Sequence, residues 1–157
     1  MSCDAVAFSA FLWLASTSPV AAPGQVASVA SAPHSVAGEP LFSDIVRRAG
    51  RLKADAEAWR ASGLDGDTAS LAGYPAFKAA LGELAALDMQ GHVTLAARGT
   101  DGDLKCILKG ISQDLPVKLH DLEAAATPKA RDQAVLELTY LLRDNVEVIT
   151  SPPAPAA

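Results

Sequence analysis

The strongest constraint on this chain is the spacing of five large apolar residues between positions 104 and 115. Leu104, Ile107, Leu108, Ile111 and Leu115 recur at intervals of three, one, three and four. At about 100° per residue they fall in one narrow stripe of an α-helix. A strand would alternate its side chains and put Ile107 and Ile111 on the face opposite Leu104 and Leu108. The helical template accounts for all five, so a helix is expected here. Lys105, Cys106, Lys109, Gly110 and Gln113 then share the other side. Cations, a thiol and a position without a side chain make that side the candidate interaction face.

Charge divides the chain. Of 31 Asp, Glu, Lys and Arg residues, only Asp4 and Glu39 lie in the first 40; the tail after residue 150 has none. The segment 41–150 carries thirteen basic and sixteen acidic residues, a net charge of −3. A domain of that size can bury a core of its own, so 41–150 is read as a single folded domain. Mild acidity argues against nucleic acid, which needs clustered Lys and Arg. The densest basic group, Arg47, Arg48, Arg51 and Lys53, is interleaved with Asp44, Asp55 and Glu57. It reads as a solvated helix face with i,i+4 pairs such as Arg51–Asp55.

Three further helices follow from the same periodicity. Phe42, Ile45, Val46, Ala49, Leu52, Ala56 and Trp59 step by three or four, giving a helix from about 42 to 62 that Ser43 or Asp44 caps and Gly63 ends. Residues 63–73 form an acidic, glycine-containing loop. Pro75 opens a second helix with Phe77, Leu81, Leu84 and Leu87 on its stripe. Gln90-Gly91 is expected to end or break it, and residues 92–98 fit either a helix or one arm of a hairpin. The helix around residue 108 runs from about 103 to 126, with Pro116 kinking or restarting it behind an Asp114 cap. Thr127-Pro128 is a cap followed by a first-turn proline. It opens a last helix with Val135, Leu138, Leu142, Val146 and Ile149 on its face. Four amphipathic helices on short connections imply an all-α, four-helix bundle-like domain.

The flanks differ in kind. Residues 1–40 form an apolar leader rich in Ala, Ser and Pro, and 151–157 a Pro/Ala tail; both are expected to be disordered. Residues 5–15 have the length of a signal-peptide core, followed by Val20-Ala21-Ala22 and Ser28-Val29-Ala30 as small-residue cleavage contexts. Against this, Asp4 stands where a basic residue is usual, and Pro23 follows Ala22. A cytoplasmic location is expected, or a periplasmic or secreted one if residues 1–30 are a cleaved signal. Membrane contact is expected only through the leader, since Ser16–Pro19 interrupts the run short of a spanning length.

No catalytic or metal-binding set assembles from the sequence. His34, His92 and His120 are scattered, and Asp101-Gly102-Asp103 lacks the glycine and glutamate that a calcium loop needs, having Cys106 and Ser112 instead. There is no Gly-x-Ser-x-Gly and no phosphate loop. Cys3 and Cys106 form no framework, and no internal disulfide is expected. Cations beside Cys106 would raise its thiolate fraction, and Gly110 costs about 1 kcal/mol relative to alanine inside a helix.

The run Cys106-Ile107-Leu108-Lys109-Gly110 resembles the His-x-Leu-Lys-Gly core of histidine phosphotransfer domains, a family that folds as a four-helix bundle. The resemblance implies that Lys109 and Gly110 are docking residues. Cys106 stands where the family's phosphorylated histidine would be, so phosphoryl transfer is not implied. The expected function is a non-enzymatic helical interaction or adaptor module of bacterial appearance. It would bind another protein or a second copy through Lys105, Cys106, Lys109, Gly110 and Gln113, with no cofactor, metal or catalytic residue. Two alternatives remain. One is a thiol-based redox or degenerate phosphotransfer-like protein on the Cys106/Lys109/Gly110 face. The other is a secreted helical protein that holds a small ligand between its helices.

Overall fold

A computed structural model describes residues 35–99 and 102–151. The expectations for the leader up to residue 34 and for the tail from 152 lie outside these residues. Four helices carry the described chain: α1 (Pro40–Ser62), α2 (Tyr74–Ala97), α3 (Leu104–Ala124) and α4 (Pro128–Thr150), with a short 3₁₀ turn at Thr68–Ser70. The class is all-α, as the periodicity implies. Helix α1 packs against α2 and α4, and α3 packs against the same two, so α1/α3 and α2/α4 face each other across the diagonals.

One ion pair bridges each of the four seams. Arg48 meets Glu83 between α1 and α2, Lys78 meets Glu123 between α2 and α3, Lys118 meets Glu137 between α3 and α4, and Arg60 meets Asp132 between α1 and α4. Exposed pairs of this kind contribute between zero and about 1 kcal/mol each; what they record is register. The stabilising term is the apolar interior, where Phe42, Ile45, Leu84, Leu108, Leu115, Leu122, Leu138 and Leu142 are wholly shielded from water. At one end Trp59 packs on Phe77 with the rings tilted at 53° and their centroids 4.4 Å apart, and its Nε1–H donates to the carbonyl of Ala72.

Helix α2 does not end at Gly91 but continues to Ala97, so 92–98 is not a hairpin arm. The reason is packing. A Cβ on Gly91 would lie 3.1 Å from Leu108 Cδ1 and 3.3 Å from Phe42 Cε1. The glycine lets α1 and α3 close on α2, and that contact outweighs its poor helix propensity. The true stop is Gly99, at φ +65°. Likewise α3 runs unbroken through Pro116, and Asp114 does not open a new helix. Proline cannot supply an N–H to the carbonyl of Ser112, a loss of one bond. Leu108, Ile111 and Leu115 before it and Leu119 and Leu122 after it are buried along one stripe, which requires a continuous helix.

Helix α1 starts at Pro40 behind Glu39, earlier than Phe42, because a proline in the first turn is already set at a helical φ. Neither Ser43 nor Asp44 caps it. Ser43 Oγ donates to the carbonyl of Pro40, and Asp44 accepts from Arg47 and Arg48. The i,i+4 pairs formed on α1 are Asp44–Arg48 and Lys53–Glu57, not Arg51–Asp55. The cap at Thr127 is formed as its sequence implies, with Oγ1 accepting from the N–H of Ala130.

Polar side chains also sit on the buried stripes. Arg131 is 5 % exposed. Its Nη1 donates to the carbonyl of Leu64 at 2.7 Å, Nη2 to that of Ala125 at 3.2 Å, and Nε to Thr68 Oγ1 at 3.4 Å. Thr68 Oγ1 in turn donates to the carbonyl of Leu122. This guanidinium clamps the α1–α2 connection to the C-terminal end of α3, whose exposed carbonyls favour a cation. Asp88 of α2 and Asn145 of α4 are wholly buried and joined across the bundle diagonal.

Candidate functional site

The candidate face begins where α3 does. The carbonyl of Asp103 accepts from the N–H groups of Cys106 and Ile107 and so starts the helix through its backbone, with no side-chain cap bond. From there the apolar stripe turns inward as its spacing dictates: Leu108, Ile111 and Leu115 are buried, and Leu104 and Ile107 are half-buried. The opposite side carries Lys105, Cys106, Lys109, Gly110 and Gln113 together on the first three turns. Gln113 is exposed and the other four are half-buried.

Each residue has a local setting. His92 of α2 donates its Nδ1–H to the carbonyl of Lys105 at 2.6 Å, a bond that fixes the ring tautomer and ties α2 to the first turn of α3. The carbonyl of Lys109 accepts from Ser112 Oγ at 2.7 Å. Cys106 is disulfide-bonded, against the expectation that no internal disulfide forms. A thiol at this position therefore exists only after reduction.

Gly110 and Gly91 separate two uses of a helical glycine. A Cβ on Gly91 would press on Leu108 and Phe42 and touch Ile45, whereas a Cβ on Gly110 would meet none of the described atoms within 4 Å. The fold thus supplies a reason for the first glycine and none for the second. Each costs about 1 kcal/mol relative to alanine, and Gly110 shares its open surroundings with the helical glycines Gly50 and Gly82.

The face extends beyond Gln113. Cys106, Gly110, Gln113 and Val117 lie at i, i+4, i+7 and i+11, one line along α3, and Val117 is 53 % exposed. Extending the outward stripe by one step past Gln113 would have found it. The exposed valine ends a line that begins with half-buried residues, and Lys118 beside it is held by Glu137 and Asp121.

A concavity of about 460 Å³ lies between α1 and α2 over Trp59 and Phe77, with Arg47, Arg48 and Arg51 on its rim. Arg47 and Arg48 are already paired with Asp44, and Arg48 also with Glu83, so most of its positive charge is neutralised within the molecule. Among the described residues no three His, Cys, Asp or Glu side chains converge on a point where a metal ion could sit. None of the described helices is long and apolar enough to cross a membrane.

No family model, curated protein or solved structure matches this chain. The likeness of residues 106–110 to the phosphotransfer core accordingly stands on those five residues alone.

Proposed function

We propose that this chain is a non-enzymatic interaction module that docks another protein, or a second copy of itself, on the outward line of α3. The contact would be made by Lys105, Cys106, Lys109, Gly110 and Gln113, with Val117 as its apolar end. The observation that carries this reading is the outward line Cys106, Gly110, Gln113 and Val117, which ends in a valine 53 % exposed; Gly110 leaves open space on that line, as Gly50 and Gly82 do on theirs. A partner backbone or ring approaching there would use that space, as Leu108 and Phe42 use it at Gly91. Lys109 would supply a charge at the rim of the contact, and Val117 would supply area that is removed from water.

Arginine at position 110 tests the reading cleanly. It restores helix propensity, and its Cβ meets no described atom within 4 Å. It places a long cation in the middle of the contact. A matching change at Gly82, on the exposed side of α2 and equally free of neighbours, serves as the control. Gly110→Arg should abolish a specific association that Gly82→Arg leaves intact. Equal association of both variants would refute the assignment.

A further inference from the structure

The centre of the bundle holds a polar bond that joins two helices not otherwise adjacent. Asn145 Nδ2 donates to Asp88 Oδ2 at 2.8 Å. The remaining oxygens of the two side chains, Asp88 Oδ1 and Asn145 Oδ1, are buried without any hydrogen-bond partner. Two orphaned acceptors on one side-chain pair are costly, because each has given up water and received nothing. The cost grows if the carboxyl carries a charge, since α1, α3 and α4 present no cation to it. No charged group acts on the Asp88 carboxyl, and Arg48, Lys109, Asp114, Arg143 and Asp144 on those helices are half-buried or exposed. Arg48 is paired with Asp44 and Glu83, and Arg143 with Asp144.

One proton removes both defects. We propose that Asp88 is a neutral carboxylic acid in the folded protein and that its Oδ1–H donates to Asn145 Oδ1, closing a two-bond acid–carboxamide pair that latches α2 to α4 and drops to a single bond when the proton is lost. A carboxyl group and a carboxamide are near-isosteric planar forks. With the acid protonated, each offers one donor and one acceptor to the other. With the acid ionised, one bond remains and the orphaned oxygens return, now around a charge in the apolar interior. The latch is therefore closed at lower pH and weakened at higher pH. Burial pushes the Asp88 carboxyl up to about 7, and no charged neighbour contributes to that shift; this puts the change of state near neutrality rather than in acid.

Two measurements on the full-length chain test the latch. The first needs no variant: the side-chain carboxyl carbon of Asp88 is followed by NMR as pH is raised. It should titrate near neutrality, and a midpoint near the ordinary value of about 3.9 would overturn the proposal. The second compares urea midpoints of the wild type and Asp88→Asn across the same range. Asparagine at 88 reproduces the donor and acceptor of the protonated acid and cannot lose them. The wild-type midpoint should therefore fall relative to the variant as pH rises through neutrality. Profiles that stay parallel would overturn it.

Discussion

Removing the Arg131 guanidinium tests how the irregular parts of the fold are held. In Arg131→Met the side-chain length is kept and the donors are lost. The Leu64 and Ala125 carbonyls lose bonds of 2.7 and 3.2 Å, and Thr68 loses a long contact of 3.4 Å. A buried acceptor left unpaired costs about 1–3 kcal/mol. The bond to Leu64 is short and belongs at the upper end, and that to Ala125 at the lower. Against this, burying an arginine without a carboxylate is itself expensive, and methionine is spared that cost. The balance is a loss of about 3 kcal/mol, because the carbonyls are backbone and cannot be replaced with the arginine. Arg131→Lys keeps a charge at the end of α3 but reaches fewer acceptors, so it should fall between the two. Urea unfolding monitored by circular dichroism, with an unchanged denaturant slope, measures this. A methionine variant within about 0.5 kcal/mol of the wild type would refute the idea that the guanidinium secures the two connections.

Further outcomes are expected elsewhere. Gly110→Ala should stabilise the protein by up to about 1 kcal/mol, whereas Gly91→Leu should destabilise it by about 1–3 kcal/mol through overpacking against Leu108 and Phe42; paired thermal melts give both signs. Thr127→Ala should cost about 1 kcal/mol by releasing the N–H of Ala130, read as a lower urea midpoint. The Asp88 carboxyl, raised by burial to about 7, contributes stability that is fully present below about pH 4 and lost as pH rises through 7, roughly 4 kcal/mol in all. Glu39, Asp44 and Asp132, held low by hydrogen bonds from Arg98, Arg48 and Arg60 respectively, act in the opposite sense and lose their contribution in acid. Unfolding measured against pH should thus show a maximum on the acidic side of neutrality. A stability still rising from pH 6 to pH 8 would contradict the assignment of Asp88.

The periodic parts of this chain were legible because burial enforces period. The stripes of α1, α3 and α4 follow directly from where Leu, Ile, Val and Ala recur, and the Thr127 cap follows from Thr-Pro. Gly91 and Pro116 misled for one reason. Local propensity reads them as stops, but the glycine sits where two helices close on a third and the proline sits on a helix buried on both sides of it. Polar members of the stripes were missed as well. Continuing Leu81 and Leu84 by heptad-like steps reaches Asp88, Gly91 and Leu95, and continuing Leu138 and Leu142 reaches Asn145 and Ile149. A stripe scored only by apolar residues passes over Asp88, Asn145 and Arg131, although their spacing places them inward. Of the candidate face, position and sidedness were readable. The disulfide state of Cys106 and the empty space at Gly110 depend on what surrounds α3, which no local pattern contains.

Docking on the outward line of α3 is tested most directly at Gly110. Wild type, Gly110→Arg and Gly82→Arg should be compared as full-length chains, first by melting and then by sedimentation and by retention of partners from native extract. All three should fold, with Gly110→Arg at least as stable as the wild type. Only Gly110→Arg should lose a specific partner or its self-association. If Gly110→Arg keeps every association that the wild type makes, the outward line of α3 is not a docking surface.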